Sequence, residues 1–527
     1  MKFSLSVTMA ALLGTTAAFA QSGDLPQQDN EWYQSAQETL QQLIDRQENT
    51  NRALNIILFV ADGNGVGTNY ATRLFEGQQQ GGLGDDHNLP QDEFPYSALV
   101  KTYSANGQTP DSAPTATAMN SGIKTKNDLI NVTDNVAVGD CVAGLENGVR
   151  TFAEIVSDMD KSVGVISTAR ITHATPAAVY ARTADRDFED DTLLPEGCDQ
   201  DDIALQLYKQ MENGVIDVAM GGGRRHFITT DTTDAENSAG KREDNQNLAQ
   251  MAVDNLNAAY IQTQEEFDAL DLSAEGPILA LFEPSHMQYE ADRSGEPSLA
   301  EMTSAAIEKL SQNENGYYLA VEAGRVDHAN HAGNAARTLT DGVAFAEAIR
   351  AADEMTDDAD TLIVVTSDHE HAIAFNGYCG RGSDILGLCM KVNGEGIEAL
   401  DEPNMASDEL PYTVIGYLNG AGSVLVEQMP EEAENSAATE IKAGEASPEA
   451  GAPIYSGDRS AIADADVTDI DYLQQALIPM SSETHSGEDV AVYAKGPSAH
   501  LFDGTIEQNV IFHVMQHAAT AGENASN

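Results

Sequence analysis

The sequence predicts an α/β fold with a central, mostly parallel sheet flanked by helices. Four short aliphatic runs are typical of buried parallel strands, at 55–60 (NIILFV), 163–168 (VGVIST), 317–321 (YYLAV) and 361–366 (TLIVVT). Helical patterns alternate with these runs, at 154–159, 203–211 and 335–352. Because helices that connect parallel strands produce this alternation, we expect them to pack against the sheet.

The pattern changes after His371. Residues 377–480 are rich in Gly, Glu, Asp, Ala and Ser and contain the acidic tract EEAENSAATEIKAGEASPEAGAP. This composition is typical of a solvated surface segment, so we predict an inserted lobe at 377–480 within one domain that spans 21–527. A further strand is predicted after the lobe, at 490–497 (VAVYAKGP).

Residues 1–20 have the pattern of a cleaved secretory signal. They read MKFSLSVTMAALLGTTAAFA, with a lysine near the start, an apolar stretch and small residues at the end. No later apolar run approaches the ~18 residues that a membrane span needs. We therefore expect an exported chain, periplasmic or secreted, without a membrane span.

The four cysteines agree with export, because disulfides persist in oxidising compartments. Pairing of sequence neighbours would join Cys141 to Cys198 and Cys379 to Cys389, although spacing alone allows three connectivities. The alternative is four reduced thiols, which export disfavours.

The charge balance is strongly negative, with 85 acidic residues against 27 lysines and arginines and a formal charge of −58. Nucleic acids and anionic membranes are poor partners for such a chain. The negative charges repel one another at low ionic strength and are screened by salt, so we predict adaptation to high salt. The alternative is a very soluble exported protein without salt dependence.

Acidic and histidine residues follow three of the predicted strands. They are Asp62 after 55–60, Glu322, Asp327 and His331 after 317–321, and Asp368 and His369 after 361–366. Because the ligand crevice of an open α/β sheet lies at the carboxyl ends of its strands, we expect these side chains to converge. Asp327 and His331 stand four apart, which puts both on one face of a helix.

Carboxylates and imidazoles together match the ligands of zinc, and this set has no cysteine to indicate a purely structural metal. His485, in the Ser/Gly/Glu-rich segment SSETHSGED, is a further candidate. Each residue alone has an ordinary interpretation, since an Asp after a strand is often a turn former and a loop histidine is often merely exposed. The predicted metal centre depends on their combination.

Ser112 is the candidate nucleophile, in TPDSAPTATAMNSG (109–122). It follows an acid and precedes small residues, but the sequence has no histidine nearby and lacks the G-x-S-x-G elbow of a hydrolase serine. A helix is expected to begin here, and its free amides would favour an anion. Pro114 is permitted in such a first turn.

Six segments, in order, resemble motifs of the alkaline phosphatase family, and most of all its animal-type branch: ADGNGV, PDSAPTATA, THATPAA, VEAGRVDHANH, TSDHEH and ETHSGEDVAVYAKGP. The resemblance extends from about Asn30 to Ala518. It implies that 21–527 is a catalytic domain that hydrolyses phosphate monoesters through a phosphoserine on Ser112, with Arg186 binding the phosphate. It also implies that zinc, rather than a histidine, activates the Ser112 hydroxyl.

The same resemblance implies two Zn²⁺ ions and one Mg²⁺. One zinc would be held by Asp327, His331 and His485, and the other by Asp62, Asp368 and His369. The third site, usually magnesium, would use Asp62, Thr175 and Glu322, with His173 close by. His328 stands where the family carries a residue of the phosphate site or its surroundings.

Two further features are implied by the resemblance. The amphipathic segment 31–46 and the lobe at 377–480 resemble dimer-interface elements of animal-type members, the lobe resembling their crown, so a homodimer is expected. The alternative is a peripheral helix packed on its own chain. Glu283 and Glu296 match part of an additional Ca²⁺ site, although an ordinary acidic loop would have the same composition.

Other functions fit the sequence less well. Sulfatases of the same superfamily use a C/S-x-P-x-R motif, whereas Ser112 is followed by Ala, Pro and Thr without that arginine. Phosphodiesterases of the superfamily typically use threonine and lack counterparts of Arg186 and Glu322. An exported, non-catalytic metal-binding protein is the remaining alternative, and it would not hydrolyse 4-nitrophenyl phosphate.

Overall fold

The computed structural model describes residues 25–392, 399–428 and 454–521. The predicted signal segment 1–20 and the acidic tract at 431–453 lie outside these residues. The chain separates into two compact units after Gln47. The helix predicted at 31–46 lies in the first unit, and none of its residues is buried.

Many helices begin after an Asn, Asp, Ser or Thr whose side chain accepts a main-chain N–H, as at Asp111, Thr151, Ser298 and Asn334. The α-helices are α1 (Glu31–Asp45), α2 (Val66–Gln79), α3 (Ser112–Ser121), α4 (Cys141–Glu146), α5 (Phe152–Ser157), α6 (Ala174–Tyr180), α7 (Ile203–Glu212), α8 (Leu248–Leu256), α9 (Gln264–Asp268), α10 (Leu299–Leu310), α11 (Arg325–His331), α12 (Ala335–Met355) and α13 (Val510–Thr520).

The strands include every run that the sequence predicted. They are β1 (Asn55–Ala61), β2 (Tyr96–Lys101), β3 (Ser162–Arg170), β4 (Val218–Gly222), β5 (Ala259–Ile261), β6 (Ile278–Leu281), β7 (Tyr317–Ala323), β8 (Thr361–Ser367), β9 (Glu370–His371), β10 (Ile373–Phe375), β11 (Met390–Val392), β12 (Ala399–Pro403), β13 (Ile415–Gly420), β14 (Leu425–Gln428), β15 (Ile454–Gly457), β16 (Ala476–Pro479), β17 (His485–Ser486), β18 (Val490–Lys495) and β19 (Thr505–Glu507).

Ten strands form the main sheet, in the order β19-β2-β18-β8-β1-β7-β3-β4-β6-β5. The four predicted parallel strands lie side by side at its centre, as β8-β1-β7-β3. Strand β18 is antiparallel to both of its neighbours, whereas the other pairs are parallel. The predicted fold class is confirmed.

The central strands are apolar on both faces because helices cover both sides of the sheet. Leu58 and Val60 of β1 belong to a core that includes Phe152 of α5. Phe59 points to the other face, where its ring lies 5.9 Å from that of Phe345 in α12. The two layers hold the strand ends in a fixed position, and the candidate site lies there.

Small sheets occur within the predicted lobe at 377–480 and next to it. They are β10-β13-β16, β11-β12 and β14-β15, and β9 pairs with β17 in a fourth. The boundaries of the lobe as an inserted unit stay a prediction. Disulfides join Cys141 to Cys198 and Cys379 to Cys389, as sequence-local pairing predicts. In the described part of the chain, no helix combines the length and the apolar character needed to cross a membrane.

Candidate active site

Three neighbouring strands deliver acidic residues to one edge of the sheet. Ala61 of β1 is in register with Ala323 of β7 and with Ser367 of β8, so the three strands end level. Asp62 and Asp368 follow directly after these ends, and both are completely buried. The structure thus brings together side chains that are about three hundred positions apart in the sequence.

The Asp327 cluster consists of Asp327, His331 and His485. The two Nε2 atoms are 3.0 Å apart, and each is 3.3 Å from Asp327 Oδ1. The Nδ1 atoms lie 2.6 and 2.9 Å from the main-chain carbonyls of Glu483 and Pro110. Because a carbonyl only accepts, both Nδ1 atoms carry hydrogen in the neutral rings, and both Nε2 lone pairs face Asp327. The cluster is arranged to hold a cation.

His371 adjoins this cluster and was not predicted from the sequence. Its Nε2 lies 2.8 Å from Asp327 Oδ1 and its Nδ1 lies 2.6 Å from Glu483 Oε2. Burial alone would lower the pKa of His371, but the hydrogen bonds to Asp327 and Glu483 raise it to about 10. These two hydrogen bonds orient Asp327, and His371 also belongs to the group of possible metal ligands formed with Asp327, His331 and His485. One feature of the sequence could have identified His371 as a site residue, namely its position two residues after the predicted ligand His369.

The Asp62 cluster consists of Asp62, Asp368, His369 and Ser112. His369 Nε2 lies 3.2 Å from one oxygen of each carboxylate. Ser112 Oγ lies 3.3 and 3.4 Å from the oxygens of Asp62 and 3.4 Å from His369 Nε2. Burial raises the pKa of both aspartates to about 7. The negative charge of Asp327 adds to the shift of Asp62, and that of Asp62 adds to the shift of Asp368. Ionised together, these carboxylates require a positive charge between them.

The Glu322 cluster lies on the other side of Asp62. Asp62, His173 and Glu322 each offer a ligand atom within 4.8 Å of the others. Thr175 Oγ1 and Glu322 Oε1 are buried without a hydrogen-bond partner. Burial and the charge of Asp62 raise the pKa of Glu322 well above its ordinary value. Unsatisfied buried oxygens of this kind fit a hard cation such as magnesium.

Ser112 is the first residue of α3, where the helix was expected to begin. Asp111 caps the helix, since its Oδ1 accepts the Ala113 N–H at 2.7 Å and its Oδ2 accepts the Asp128 N–H at 2.7 Å. The Ser112 side chain is almost completely buried. The sequence has no histidine near Ser112, but the fold brings His369 to its hydroxyl.

Arg186 lies beside the start of α3. Its Nη1 donates to Asp111 Oδ1 at 3.3 Å and its Nη2 donates to His173 Nε2 at 3.0 Å. Since a guanidinium only donates, the neutral His173 carries its proton on Nδ1, which is buried without a partner. Burial and the charge of Arg186 lower the pKa of His173 well below its ordinary value.

His328 packs in a group of three histidines with His173 and His286, and His286 was not predicted as a site residue. The ring centroid of His328 lies 4.1 Å from that of His286 and 5.6 Å from that of His173. Burial and the charge of Arg325 lower the pKa of His328 to about 3, against the opposing effect of Asp327. The three rings are therefore neutral packing and hydrogen-bonding groups.

Glu283 and Glu296, the predicted calcium residues, are bridged by Gln288. Its N–H donates to Glu296 Oε1 at 2.7 Å and its Nε2 donates to Glu283 Oε1 at 3.1 Å. Burial raises the pKa of Glu296 to about 8. Within the described residues, neither glutamate belongs to a group of three convergent metal-ligating side chains, and calcium stays a prediction.

The alkaline phosphatase family model matches residues 53–521. Alkaline phosphatase from Gadus morhua is 38% identical over 524 residues, which cover 96% of this chain and 100% of that relative. The tissue-nonspecific isozyme of alkaline phosphatase from Homo sapiens is 37% identical over 510 residues, 94% of this chain and 89% of that relative.

Solved structures give the same fold. Alkaline phosphatase from the Antarctic bacterium TAB5 aligns with a TM-score of 0.58 at 21% identity, over 90% of this chain and 100% of that one. Alkaline phosphatase from Thermus thermophilus aligns with a TM-score of 0.58 at 21% identity, over 90% of this chain and 93% of that one.

Proposed function

This chain belongs to the alkaline phosphatase family and is a phosphomonoesterase, and from this premise we propose that it works through a phosphoserine on Ser112. The observation that carries the proposal is the geometry of the Asp327 cluster. His331 and His485 turn two Nε2 lone pairs toward each other and toward Asp327 Oδ1 at 3.0 to 3.3 Å. Acceptors this close repel one another unless a cation lies between them.

We assign the metals as the resemblance implies. The first zinc would bind Asp327, His331 and His485, and the second would bind Asp62, Asp368 and His369. Magnesium would bind Asp62, Thr175 and Glu322, with His173 beside them. Ligands of a tetrahedral zinc at about 2.0 Å lie about 3.3 Å from one another, and separations of 3.0 to 3.4 Å in the Asp327 and Asp62 clusters support the assignment. Bound zinc supplies Lewis acidity, which lowers the pKa of a hydroxyl or a water molecule.

The chain's own residues bind and orient the ester. The guanidinium of Arg186 presents two nitrogens, and its planar fork fits two non-bridging phosphate oxygens. The free amides at the start of α3, which is ten residues long, favour the negative charge of the phosphate. Asp111 fixes both the helix start and Arg186, so the phosphorus is presented to Ser112 Oγ.

Two displacements follow from this arrangement. Ser112 Oγ attacks phosphorus, and the bond from phosphorus to the alcohol oxygen breaks on the opposite side. The alcohol takes up a proton and leaves, and Ser112 carries the phosphoryl group. Water then attacks the phosphoserine, releases inorganic phosphate and restores the hydroxyl. Each step inverts the configuration at phosphorus, so the overall result is retention.

The test is hydrolysis of 4-nitrophenyl phosphate by the Ser112→Ala variant. We expect a fall in turnover of about a thousandfold or more, because the attacking oxygen is lost, while folding and most of the metal content remain. Ser121→Ala is the matched control, since Ser121 ends the same helix and its Oγ donates to Thr117 O at 2.9 Å. Full activity of Ser112→Ala would exclude Ser112 as the nucleophile.

The metal assignment has its own test. Chelation should abolish hydrolysis, and zinc and magnesium restored separately should show which ion supports turnover.

Activity should rise toward alkaline pH, because ligation needs ionised carboxylates and neutral imidazoles. A profile with its maximum in acid would contradict the proposal.

Export and a homodimer are also part of the proposal. The two disulfides support an oxidising compartment.

Exposed apolar side chains of α1 support self-association, with Trp32 at 71% and Leu43 and Ile44 both at 51% exposure. Removal of residues 21–47 should shift the mass measured by light scattering from dimer toward monomer. An unchanged mass would mean that α1 is not needed for the contact.

A further inference from the structure

A group of arginines and histidines continues the same sheet edge beyond the three acidic clusters. Next to β7, the sheet order is β3, β4 and β6. The last residue of β3 is Arg170, Arg225 follows β4, His286 follows β6, and Arg325 begins α11 after β7. Along this edge the side chains therefore change from carboxylates to guanidinium groups.

The loops after β3, β4 and β6 are packed tightly against one another. The Ile171 N–H donates to Gly222 O at 3.0 Å, and the Gly223 N–H donates to Ser285 O at 2.7 Å. A Cβ at Gly222 would lie 2.1 Å from Ser285 O, so only glycine allows this approach. The Arg225 N–H donates to Pro284 O at 3.3 Å, and the Arg170 N–H donates to His286 Nδ1 at 3.2 Å. This packing therefore places both arginines beside the loop that carries His286.

Two of these arginines have no carboxylate partner. Arg170 pairs with Glu189 through two contacts of 2.8 Å, whereas Arg225 and Arg325 form no ion pair within 4.0 Å anywhere in the described residues. In a chain with 85 acidic residues and 27 lysines and arginines, two arginines beside the site without a direct ion pair are a specific feature. They leave this part of the site free to bind an anion.

Histidine and tyrosine rings hold both unpaired arginines in position. Arg225 Nε donates to His226 Nε2 at 3.1 Å, and His226 Nδ1 is held by Asp190 at 2.6 Å. Arg325 Nη1 donates to His328 Nδ1 at 3.1 Å, and its guanidinium lies 3.7 Å from the centroid of the Tyr289 ring. These contacts fix the two side chains without neutralising them.

We propose that Arg225 and Arg325, with His286 and His328 between them, form a subsite for a second phosphate group on the leaving-group side of the substrate. The subsite rests on the proposed phosphomonoesterase function and adjoins its phosphate arginine, because His173 contacts both Arg186 and His328. Guanidinium groups bind phosphate oxygens through paired N–H donors. The subsite would also offset the repulsion between a polyanionic substrate and a strongly acidic protein.

The test compares α,ω-alkanediol bisphosphates of two to six carbons with the corresponding hydroxyalkyl monophosphates, using the metal-loaded enzyme. The wild type should prefer the bisphosphate of at least one chain length by about tenfold in kcat/KM, mainly through KM, because one charge-assisted contact has about that effect. Arg225→Gln and Arg325→Gln should each reduce this ratio severalfold, and Arg225→Glu should reduce it further. Arg150→Gln, which removes an exposed pair with Asp158, is the matched control.

A binding measurement provides a second readout. An alkane bisphosphonate should inhibit the wild type more strongly than the matching monophosphonate, and the difference should shrink in the Arg225 and Arg325 variants. A wild-type ratio near one for every chain length, with monophosphates still hydrolysed, would overturn the subsite and leave the proposed function intact. Failure to hydrolyse any monophosphate would instead overturn the proposed function.

Discussion

Among single residues, His371 controls how Asp327 is presented to the proposed zinc. The ring lies between two buried carboxylates, those of Asp327 and Glu483, and uses both nitrogens for them. These two hydrogen bonds fix the rotamer of Asp327. Residues that orient metal ligands in this way typically affect affinity by about 10–100-fold when they are removed.

We therefore predict that His371→Ala weakens zinc binding by about 10–100-fold, because Asp327 loses its orienting donor. Glu483 Oε2 also loses its contact with His371, while Glu483 Oε1 still accepts the Ala372 N–H at 2.6 Å. Competition with a chelator of known affinity measures the change. His517→Ala, an exposed position on α13, is the control. Unchanged zinc affinity in His371→Ala would mean that Asp327 is held by the remaining contacts.

The buried aspartates predict an unusual pH dependence for the metal-free protein. Folding raises the pKa of Asp62 and Asp368 from 3.8 to about 7. Between these values the folded state retains protons on the two aspartates that the unfolded chain has released, so their contribution to the free energy of unfolding falls as pH rises from about 4 to about 7. Buried histidines with a lowered pKa, such as His173 and His369, contribute in the opposite direction. Zinc should restore more of the stability lost through the aspartates above pH 7 than below pH 5.

Denaturant unfolding of the chelated protein at several pH values measures this dependence. The double variant Asp62→Asn, Asp368→Asn removes two of the raised groups, so the free energy of unfolding of the wild type minus that of the variant should decrease from pH 4 to pH 7. A difference that stays constant or increases across this range would contradict the raised pKa values.

At the scale of elements, long strands were predictable and short ones were not. Residues 55–60, 163–168, 317–321 and 361–366 are buried on both faces and therefore read as continuous aliphatic runs. The ends of these strands could be aligned from the general geometry of parallel sheets. The antiparallel direction of β18 had no such signal, because direction is set by the chain path rather than by composition.

The short pair β9-β17 explains why part of the site was missed. It places His371 opposite His485 through two-residue strands that carry no periodic pattern. His286 and Arg225 follow β6 and β4, and neither strand was among the predicted runs. Predicting the whole site would have required the order of the strands. The sequence indicated only that residues at the carboxyl ends of the predicted parallel strands converge.

The two disulfides should contribute unequally to stability. Cys379 and Cys389 are separated by 10 positions and Cys141 and Cys198 by 57, so the second closes a much longer loop. The loop-entropy relation gives about 3 kcal/mol for the short loop and about 4 kcal/mol for the long one. We predict that replacing Cys141 and Cys198 with serines lowers the free energy of unfolding more than replacing Cys379 and Cys389 does.

Denaturant unfolding of the two double-serine variants, with the oxidised wild type as the reference, measures the difference. The wild type in reducing buffer loses both constraints, so its decrease in the free energy of unfolding should exceed that of either variant. A larger loss for Cys379→Ser, Cys389→Ser would show that local packing around Cys389, which is fully buried, outweighs loop length.

At the scale of the whole molecule, charge is distributed unevenly. The chain carries 85 acidic residues, yet four of its arginines, Arg170, Arg186, Arg225 and Arg325, adjoin three histidines beside the acidic clusters. We expect the net charge of −58 to affect stability and solubility, and the local arginines to attract an anionic substrate. The two effects should respond oppositely to salt, because screening relieves the repulsion and weakens substrate attraction.

The effect of salt on the thermal stability of the protein gives a direct prediction. Between 0.1 and 1 M salt the screening length falls from about 10 Å to about 3 Å, which removes most repulsion between surface carboxylates. The midpoint of thermal unfolding should therefore rise by about 5 °C or more over this range. NaCl, KCl and tetramethylammonium chloride should act alike at low concentration, since screening depends on ionic strength rather than on the ion. A midpoint that stays constant or falls would mean that the acidic surface is already neutralised by its own contacts, and the predicted adaptation to salt would be wrong.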